Sequence, residues 1–254
     1  MISSKLSGIP LFGSRVPVCF GNGANHLVVI RYKRKRRRYI IMASFREEIL
    51  FENRKEAGIR LGKVLKDEEL GGDPLILGVP RGGIEIAYYV SRELGSEFSV
   101  AVSKKMGYPG NEEYAFGAVA EDGSMYLSDK TGMRLNREIV EKVREEKLRE
   151  IARRILTYRN GEPLPVMKGR TVVITDDGIA TGATLIPIVE MCKRNGADKV
   201  IVAAPVAPSS SVRLFGHADK MVVLAKPEPF YAVGQFYKDF HAMEDQEIMQ
   251  LLKK

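Results

Sequence analysis

Two adjacent carboxylates, Asp176 and Asp177, stand between a short apolar run and a loop of small residues. The run Thr171–Thr175 is β-branched and apolar, long enough for one buried strand. Residues 183–194 have the pattern of a helix. The loop between them supplies conformational freedom and hydroxyl groups, through Gly178, Gly182, Thr181 and Thr184. The order is therefore strand, acidic pair, small-residue loop, helix.

This order predicts a site for a phosphorylated sugar. A loop that enters a helix leaves backbone N–H groups unpaired, and the helix dipole favours an anion there. The glycines allow a phosphate to approach closely, and the threonines add hydroxyl donors. Two carboxylates would repel that phosphate, so we expect them to hold sugar hydroxyls, a cation, or both. A ribose 5-phosphate unit with a divalent metal meets these demands.

The common phosphate-loop patterns and a plain turn fit this loop less well. The Walker pattern requires a lysine directly before the last Ser or Thr, and Ala183 stands at that position. No G-x-G-x-x-G pattern follows a strand anywhere in the chain. An ordinary turn with an aspartate as helix N-cap would account for DDG alone. It would need one acid, however, and not two acids followed by TGxT.

The stretch TVVITDDGIATGAT, residues 171–184, resembles the phosphoribosyl pyrophosphate (PRPP) binding motif of type I phosphoribosyltransferases. From about Phe45 onward the chain also resembles an uncharacterised branch of that family, through PRGG, KKxGxPGNEEYAFGA and FYAVGQFYKDF. The resemblance implies a three-layer α/β/α fold with a mostly parallel sheet and a small C-terminal hood. It also implies an Mg²⁺-dependent glycosyltransferase of nucleotide metabolism, which moves the 5-phosphoribosyl group of PRPP to a nucleobase-like nitrogen acceptor and releases pyrophosphate.

The resemblance also assigns roles to residues. It implies catalytic roles for Asp176, Asp177, Glu113 and Lys105, with Mg²⁺ at the two aspartates through ribose hydroxyls or water. The 5-phosphate would lie on Gly178, Ile179, Ala180, Thr181, Gly182, Ala183 and Thr184. Pyrophosphate would contact Arg81, Gly82, Gly83 and Lys104, in a loop where the family often has a strained or cis peptide. Phe230 and Tyr231 would bind the acceptor in the hood, although they could equally cover the sheet edge.

One departure from the family bears on the acceptor. Relatives that use 6-oxopurines carry an acid directly before the TG, and here that position is Ala180. Hypoxanthine or guanine is therefore disfavoured, while other purines, pyrimidines and acceptors that are not nucleobases stay open. A general base would then come from Glu112 or Glu113, in a stretch of residues 106–116 that we expect to be a mobile loop closing over the reacting atoms. A plain exposed hairpin is the alternative.

Two further functions compete with the transferase. A PRPP-sensing regulator on the same fold would use the basic N-terminal arm on nucleic acid. The intact Arg81, Lys104 and Lys105 favour the enzyme, because a sensor needs no pyrophosphate chemistry. A PRPP synthase or phosphoribosyl hydrolase is weaker still, since no ATP-binding pattern supports the synthase.

The positive charge is confined to one end of the chain. The 254 residues carry a net charge of +8, yet residues 1–41 hold nine Lys or Arg and no acid. The remainder, with 31 basic and 32 acidic residues, gives no reason to expect nucleic acid. We therefore divide the chain into a basic leader (1–41, disordered or not native), a core (42–225) and a hood segment (226–254). The leader could instead be a nucleic-acid-binding arm or a transit-like segment.

The remaining pattern indicates alternating strands and helices. Strands are expected at 75–79, 98–103, 200–206 and 221–225, and a hairpin at 117–128. Helices are expected at 45–65, 84–94, 136–158 and 244–252, with a further short helix at 209–215. Only two cysteines, Cys19 and Cys192, argue against a disulfide framework and for a reducing compartment. No apolar run approaches membrane-spanning length. We expect a cytoplasmic homodimer with no membrane partner.

Overall fold

A central sheet between helical layers forms the body of the protein. The computed structural model describes residues 17–20, 27–34, 37–43, 49–128, 135–211 and 216–253. In those residues the main sheet has eight strands in the order β1-β2-β3-β11-β10-β9-β4-β5. They are β1 (Pro17–Phe20), β2 (Leu27–Arg34), β3 (Arg37–Ala43), β4 (Leu75–Gly78), β5 (Glu97–Val100), β9 (Thr171–Thr175), β10 (Lys199–Val206) and β11 (Lys220–Ala225). A smaller sheet contains β6 (Ser103–Tyr108), β7 (Asn111–Ala120) and β8 (Met125–Leu127).

The helices are α1 (Arg54–Lys66), α2 (Gly82–Leu94), α3 (Arg137–Arg159), α4 (Leu185–Arg194) and α5 (Asp245–Leu252). Strands β11, β10, β9, β4 and β5 are parallel, and β3 adds to β11 in the same direction. Parallel neighbours put the carboxyl ends of β4 and β9 side by side, so the loops that follow them meet at one edge of the sheet. That edge carries the candidate site.

The strand sequences explain the three layers. Successive side chains of a strand point to opposite faces, so Val172 and Ile174 pack under α4 whereas Val173 packs under α1 and α2. Both faces of β9 are buried, as its unbroken apolar run predicts. The expected α/β/α architecture with a mostly parallel sheet is confirmed.

A second layer of structure stands beside the main sheet. Helix α3 packs its apolar side, including Val143 and Ile151, against the small sheet and α5. Residues after β11 form the hood: a 3₁₀ turn at Val233–Phe236, an extended segment, and α5. The hood is joined to the start of α1, because the N–H groups of Leu50 and Phe51 both donate to the Phe236 carbonyl.

Three expected elements differ from the structure. The single strand expected at 98–103 is divided, since β5 ends at Val100 and β6, which belongs to the smaller sheet, begins at Ser103. Residues 106–116 form the hairpin given as the alternative and not an irregular loop: β6 and β7 pair across a tight turn at Pro109 and Gly110, with a bulge near Gly107. Gly and Pro at the turn concealed the strands on either side of it. The first helix begins at Arg54 rather than near residue 45, because Asn53 caps it by accepting from the Glu56 N–H.

The N-terminal region also differs from expectation. The sequence suggested no regular structure in residues 1–41, whereas the structure has β1, β2 and β3 in residues 17–43. Strand β3 pairs with β11 through Tyr39, Ile40 and Ile41, and it runs across the expected boundary at residue 42. The rest of the leader lies outside the described residues, as does most of a short helix expected at 209–215. The division into leader, core and hood stays a prediction.

No helix in the described ranges is both long enough and apolar enough to cross a bilayer.

Candidate functional site

The acidic pair lies at the carboxyl end of β9, where the strand meets the PRGG loop. The Thr175 hydroxyl, which is fully buried, donates to the Gly83 carbonyl at 3.1 Å. The Val79 N–H donates to the Thr175 carbonyl, so the two loop entrances are hydrogen-bonded to each other. Asp176 and Asp177 then emerge half-buried at the sheet edge.

Asp177 is held by residues that are distant in sequence. Arg54, at the start of α1, donates from Nε to Asp177 Oδ2 at 2.8 Å. The Tyr237 hydroxyl donates to the Asp177 carbonyl oxygen at 2.6 Å. The Asp177 N–H donates to Asp176 Oδ1 at 2.9 Å, which fixes one oxygen of the first acid. Both carboxylates therefore have defined orientations before any ligand binds.

The environment opposes negative charge on the pair. Burial, and then the charge of Asp177, hold the pKa of Asp176 well above its usual value. Burial also raises the pKa of Asp177, but the adjacent Arg54 guanidinium opposes that rise. Two half-buried acids with one guanidinium suit a ligand that brings hydroxyl donors or a cation.

The PRGG loop packs directly against the acids. A Cβ added at Gly82 would lie 1.8 Å from Asp177 Oδ2, and one added at Gly83 would lie 2.6 Å from the Thr175 carbonyl oxygen. No side chain fits at either position, so glycine is required by close approach. The Pro80–Arg81 peptide is cis, as the resemblance suggested for this loop.

The loop before α4 has the features of an anion site. Gly182 adopts φ +69°, a left-handed conformation that favours glycine. Among the described residues, the N–H groups of Ala180, Thr181 and Gly182 donate to no protein acceptor, and Ala180 and Thr181 are exposed. Three consecutive unpaired donors just before a helix can accommodate a phosphate. The hood reaches this loop, since a Cβ at Gly178 would meet Val233.

The structure brings the pyrophosphate candidates together only in part. Arg81 is exposed beside the acids and donates to the Met243 carbonyl at 3.1 Å. Ser103 Oγ donates to the Thr184 carbonyl, so β6 begins beside the phosphate loop. Lys104, the next residue, forms an ion pair with Glu150 of α3 at 2.9 Å. Lys105 is exposed and lies on the opposite face of β6.

The two candidate bases and the two candidate acceptor residues have different surroundings. Glu112 is exposed, and its carboxylate lies 3.7 Å from Lys147 of α3; the Glu113 side chain lies outside what the structure describes. Phe230 packs on Phe236 with ring centroids 5.0 Å apart, in agreement with a core role. The Tyr231 side chain is 83% exposed.

Sequence reasoning missed the partners of Asp177. Arg54 and Tyr237 are 123 and 60 residues from it in the chain. Arg54 looked like one of many charges on an amphipathic helix, although its side chain is only 6% exposed. The sequence signal that exists is weak: Tyr237 belongs to the aromatic-rich stretch that also contains Phe240, the ring under the Arg54 guanidinium.

The two aspartates of the site could hold Mg²⁺ only together with water and substrate phosphates. No group of three or more His, Cys, Asp or Glu able to hold a metal occurs in the described part of the chain. Mg²⁺ commonly uses one or two carboxylates and completes its shell with water and substrate phosphates. Asp176 and Asp177 supply oxygen ligands of this kind beside the unpaired N–H groups of the phosphate loop.

Comparison with known proteins agrees with this geometry. The model of a family described as "Phosphoribosyl transferase domain" matches residues 53–240, and the chain belongs to that family. Two Mycobacterium tuberculosis proteins, "Putative phosphoribosyl transferase MT0597" (strain CDC 1551 / Oshkosh) and "Putative phosphoribosyl transferase Rv0571c" (strain ATCC 25618 / H37Rv), are each 39% identical over 209 residues. These matches cover 81% of this chain and 47% of each relative, so the chain spans about half their length.

A solved structure shows the same fold. The protein TT1426 from Thermus thermophilus is 35% identical, with a TM-score of 0.70, over 80% of this chain and 97% of that protein. These comparisons agree with the sequence resemblance and with the observed fold. They lend no support to the alternative of a PRPP-sensing regulator.

Proposed function

We propose that this protein transfers the 5-phosphoribosyl group of PRPP to a nitrogen acceptor and releases pyrophosphate, with Mg²⁺ required. One observation carries the proposal: Gly82 and Gly83 pack against Asp176 and Asp177, so a loop suited to pyrophosphate adjoins a pair suited to ribose hydroxyls. The unpaired N–H groups in the loop between the acidic pair and α4 supply donors suited to the 5-phosphate. PRPP consists of these three parts, with pyrophosphate on C1 of the ribose and phosphate on C5.

In the reaction, the bond from ribose C1 to pyrophosphate breaks and its electron pair stays on pyrophosphate. A bond from C1 to the acceptor nitrogen forms, and the proton of that nitrogen passes to a base. The transition state resembles an oxocarbenium ion, as in glycoside cleavage. The protein contributes by orienting the ribose and by stabilising charge on the departing group. Mg²⁺, when bound, would neutralise charge on the pyrophosphate.

The residues divide this work. Asp176 and Asp177 accept hydrogen bonds from the ribose hydroxyls, in orientations set by Arg54 and Tyr237. Arg81 and the N–H groups of the PRGG loop receive pyrophosphate, with Lys104 or Lys105 from β6 as a further cation. The hairpin of β6 and β7 excludes water from the reacting carbon. Glu113 stays the predicted proton acceptor.

The acceptor is approached from the hood. Tyr231 supplies an exposed ring on which a flat heterocycle can stack, whereas Phe230 supports the hood from within. Residue 180, directly before the TG, is alanine and so offers no acid to pair with a 6-oxopurine. Other purines, pyrimidines and amine acceptors are therefore the first to test. The proposal also includes a role in nucleotide metabolism in the cytoplasm.

A screen of acceptors for pyrophosphate release, with PRPP and Mg²⁺, tests the function. Asp176→Asn combined with Asp177→Asn should abolish both turnover and Mg²⁺-dependent PRPP binding. A matched control is Asp67→Asn with Asp198→Asn, two exposed acids, which should behave as wild type. If calorimetry shows the same PRPP affinity in the acid-pair variant as in wild type, the proposed site is wrong.

A further inference from the structure

Arg54 makes three contacts that meet at the candidate site. Its Nε donates to Asp177 Oδ2 at 2.8 Å, and its terminal nitrogen donates to the His241 carbonyl at 2.8 Å. Its guanidinium carbon lies 3.9 Å from the centre of the Phe240 ring. The side chain is 6% exposed, so these contacts use nearly all of it. One guanidinium thus joins an acid of the site to two residues of the hood.

The hood makes a second connection to the same acid. Tyr237, which is buried, donates its hydroxyl to the Asp177 carbonyl oxygen at 2.6 Å. Backbone and side chain of Asp177 are therefore fixed separately, the backbone by the hood and the side chain by α1. Since Arg54 also binds the hood, a displaced hood would loosen both connections at once.

Only the shape of arginine suits this position. A planar guanidinium can donate in two directions and lie flat on a ring at the same time. A lysine ammonium would carry the charge, but as a point charge it cannot reproduce the planar fork and the stacking together. The requirement for arginine is thus geometric as well as electrostatic.

We propose that Arg54 is a positioning residue: it aims the Asp177 carboxylate at the ribose and couples that orientation to the seating of the hood. The inference rests on the proposed function and deepens it, because it joins the ribose side of the site to the acceptor side. Binding of PRPP at Asp177 would then be coupled to the ordering of hood residues 237–245. Without Arg54, the Asp177 carboxylate would lose the hydrogen bond that fixes its orientation.

A purely structural role for Arg54 is the competing explanation, and Arg60 provides the matched control. Arg60 lies on the same helix, donates to the Leu50 carbonyl at 2.9 Å and stands 4.7 Å from the centre of the Phe51 ring. Its acidic partner is Glu56, which is not in the site. Arg60→Met removes the same kinds of contact without touching Asp177.

The experiment compares wild type, Arg54→Met, Arg54→Lys and Arg60→Met. PRPP affinity is measured by calorimetry with Mg²⁺, well below each melting temperature, and hydrogen exchange of residues 237–245 is measured with and without PRPP. We expect Arg54→Met to weaken PRPP binding by about 10- to 100-fold, as the loss of an orienting partner commonly does. It should also remove the protection that PRPP gives to the hood. Arg54→Lys should restore part of the affinity. Arg60→Met should leave the PRPP affinity unchanged, and because Arg60 contacts Leu50 and Phe51, which bind the hood, any change in hood exchange should be the same with and without PRPP.

The outcomes separate the two proposals. If wild type fails to bind PRPP, the proposed function is wrong, and this inference falls with it. If wild type binds and Arg54→Met binds equally well, only the role of Arg54 is overturned. Should Arg54→Met not fold, Arg54→Lys decides: affinity and hood protection equal to wild type would refute the geometric requirement.

Discussion

Replacing Gly82 by alanine tests whether Asp177 must stand where the structure has it. The new methyl carbon would lie 1.8 Å from Asp177 Oδ2 and 2.7 Å from Arg54 Nε. The oxygen must recede by about 1.6 Å to reach the 3.4 Å of an ordinary contact. A shift of that size is incompatible with the present 2.8 Å bond to Arg54 unless Arg54 moves as well. The substitution therefore changes the orientation of the acid without removing its charge.

The magnitude follows from that displacement. Misplacement of a catalytic group by about 1 Å can reduce catalysis about 100-fold, so kcat/KM for pyrophosphate release should fall by about that factor. Overpacking should cost about 1–3 kcal/mol of folding stability, which corresponds to roughly 2–4 °C in Tm for each kcal/mol. Gly72→Ala is the control, because an added Cβ there has no atom within 4 Å. If Gly82→Ala folds, as judged by circular dichroism, and keeps the wild-type kcat/KM, the close packing of Gly82 on Asp177 has no functional importance.

Three other predictions concern separate parts of the molecule. Deleting residues 1–41 removes β1, β2 and most of β3 from one edge of the main sheet, yet it should leave the rest of the fold and PRPP binding intact, because the candidate site lies at the ends of β4 and β9; an unfolded product in circular dichroism would contradict the domain division. Glu150→Gln releases Lys104 from its 2.9 Å ion pair and should tighten PRPP binding by up to about fivefold, the value of a partly exposed pair; an unchanged affinity in calorimetry would remove Lys104 from the pyrophosphate site. Burial lowers the pKa of Lys226 from 10.5 to about 8. Because the unfolded state binds more protons between those values, wild-type stability should rise with pH in that window. In Lys226→Met this rise between about pH 8 and pH 10.5 should be absent from thermal melts, and a variant that keeps the rise would show that Lys226 is not its cause.

The parts of the fold that follow from local chemistry were predictable. An unbroken apolar run such as Thr171–Thr175 identifies a strand buried on both faces, and two acids with TGxT identify the loop after it. Helix α3 and the β7–β8 hairpin also agree with their patterns, since their periodicity is long or their turn is explicit. These elements needed no knowledge of distant contacts.

The partners of the acids could not be predicted in the same way. Arg54 belongs to a helix with several exposed charges, and only the tertiary fold places it under Phe240 and beside Asp177. The ion pair between Lys104 and Glu150 could not be predicted for the same reason, because it depends on how α3 packs on β6. Contacts between residues that are far apart in the chain have no local pattern.

The hairpin of β6 and β7 was only the second choice, after a mobile loop, for a different reason. Its tip contains Pro109, Gly110 and several polar residues, which are typical of a loop. The strands are nevertheless held by pairing and by aromatic contacts, including Tyr108 with Tyr114 at 5.6 Å between ring centroids. A bulge near Gly107 breaks the alternation that would have revealed the strand.

Asp177 is the point at which these observations converge. Its carboxylate accepts a hydrogen bond from Arg54 of α1 and packs against Gly82 of the β4–α2 loop. Its backbone carbonyl accepts a hydrogen bond from the Tyr237 hydroxyl of the hood. A group held from three sides cannot reorient without moving at least one of them, so its direction is a property of the assembled fold. The family match spans residues 53–240 and so includes both Arg54 and Phe240. A change that displaces the hood would therefore also disturb the residue that we propose grips the ribose.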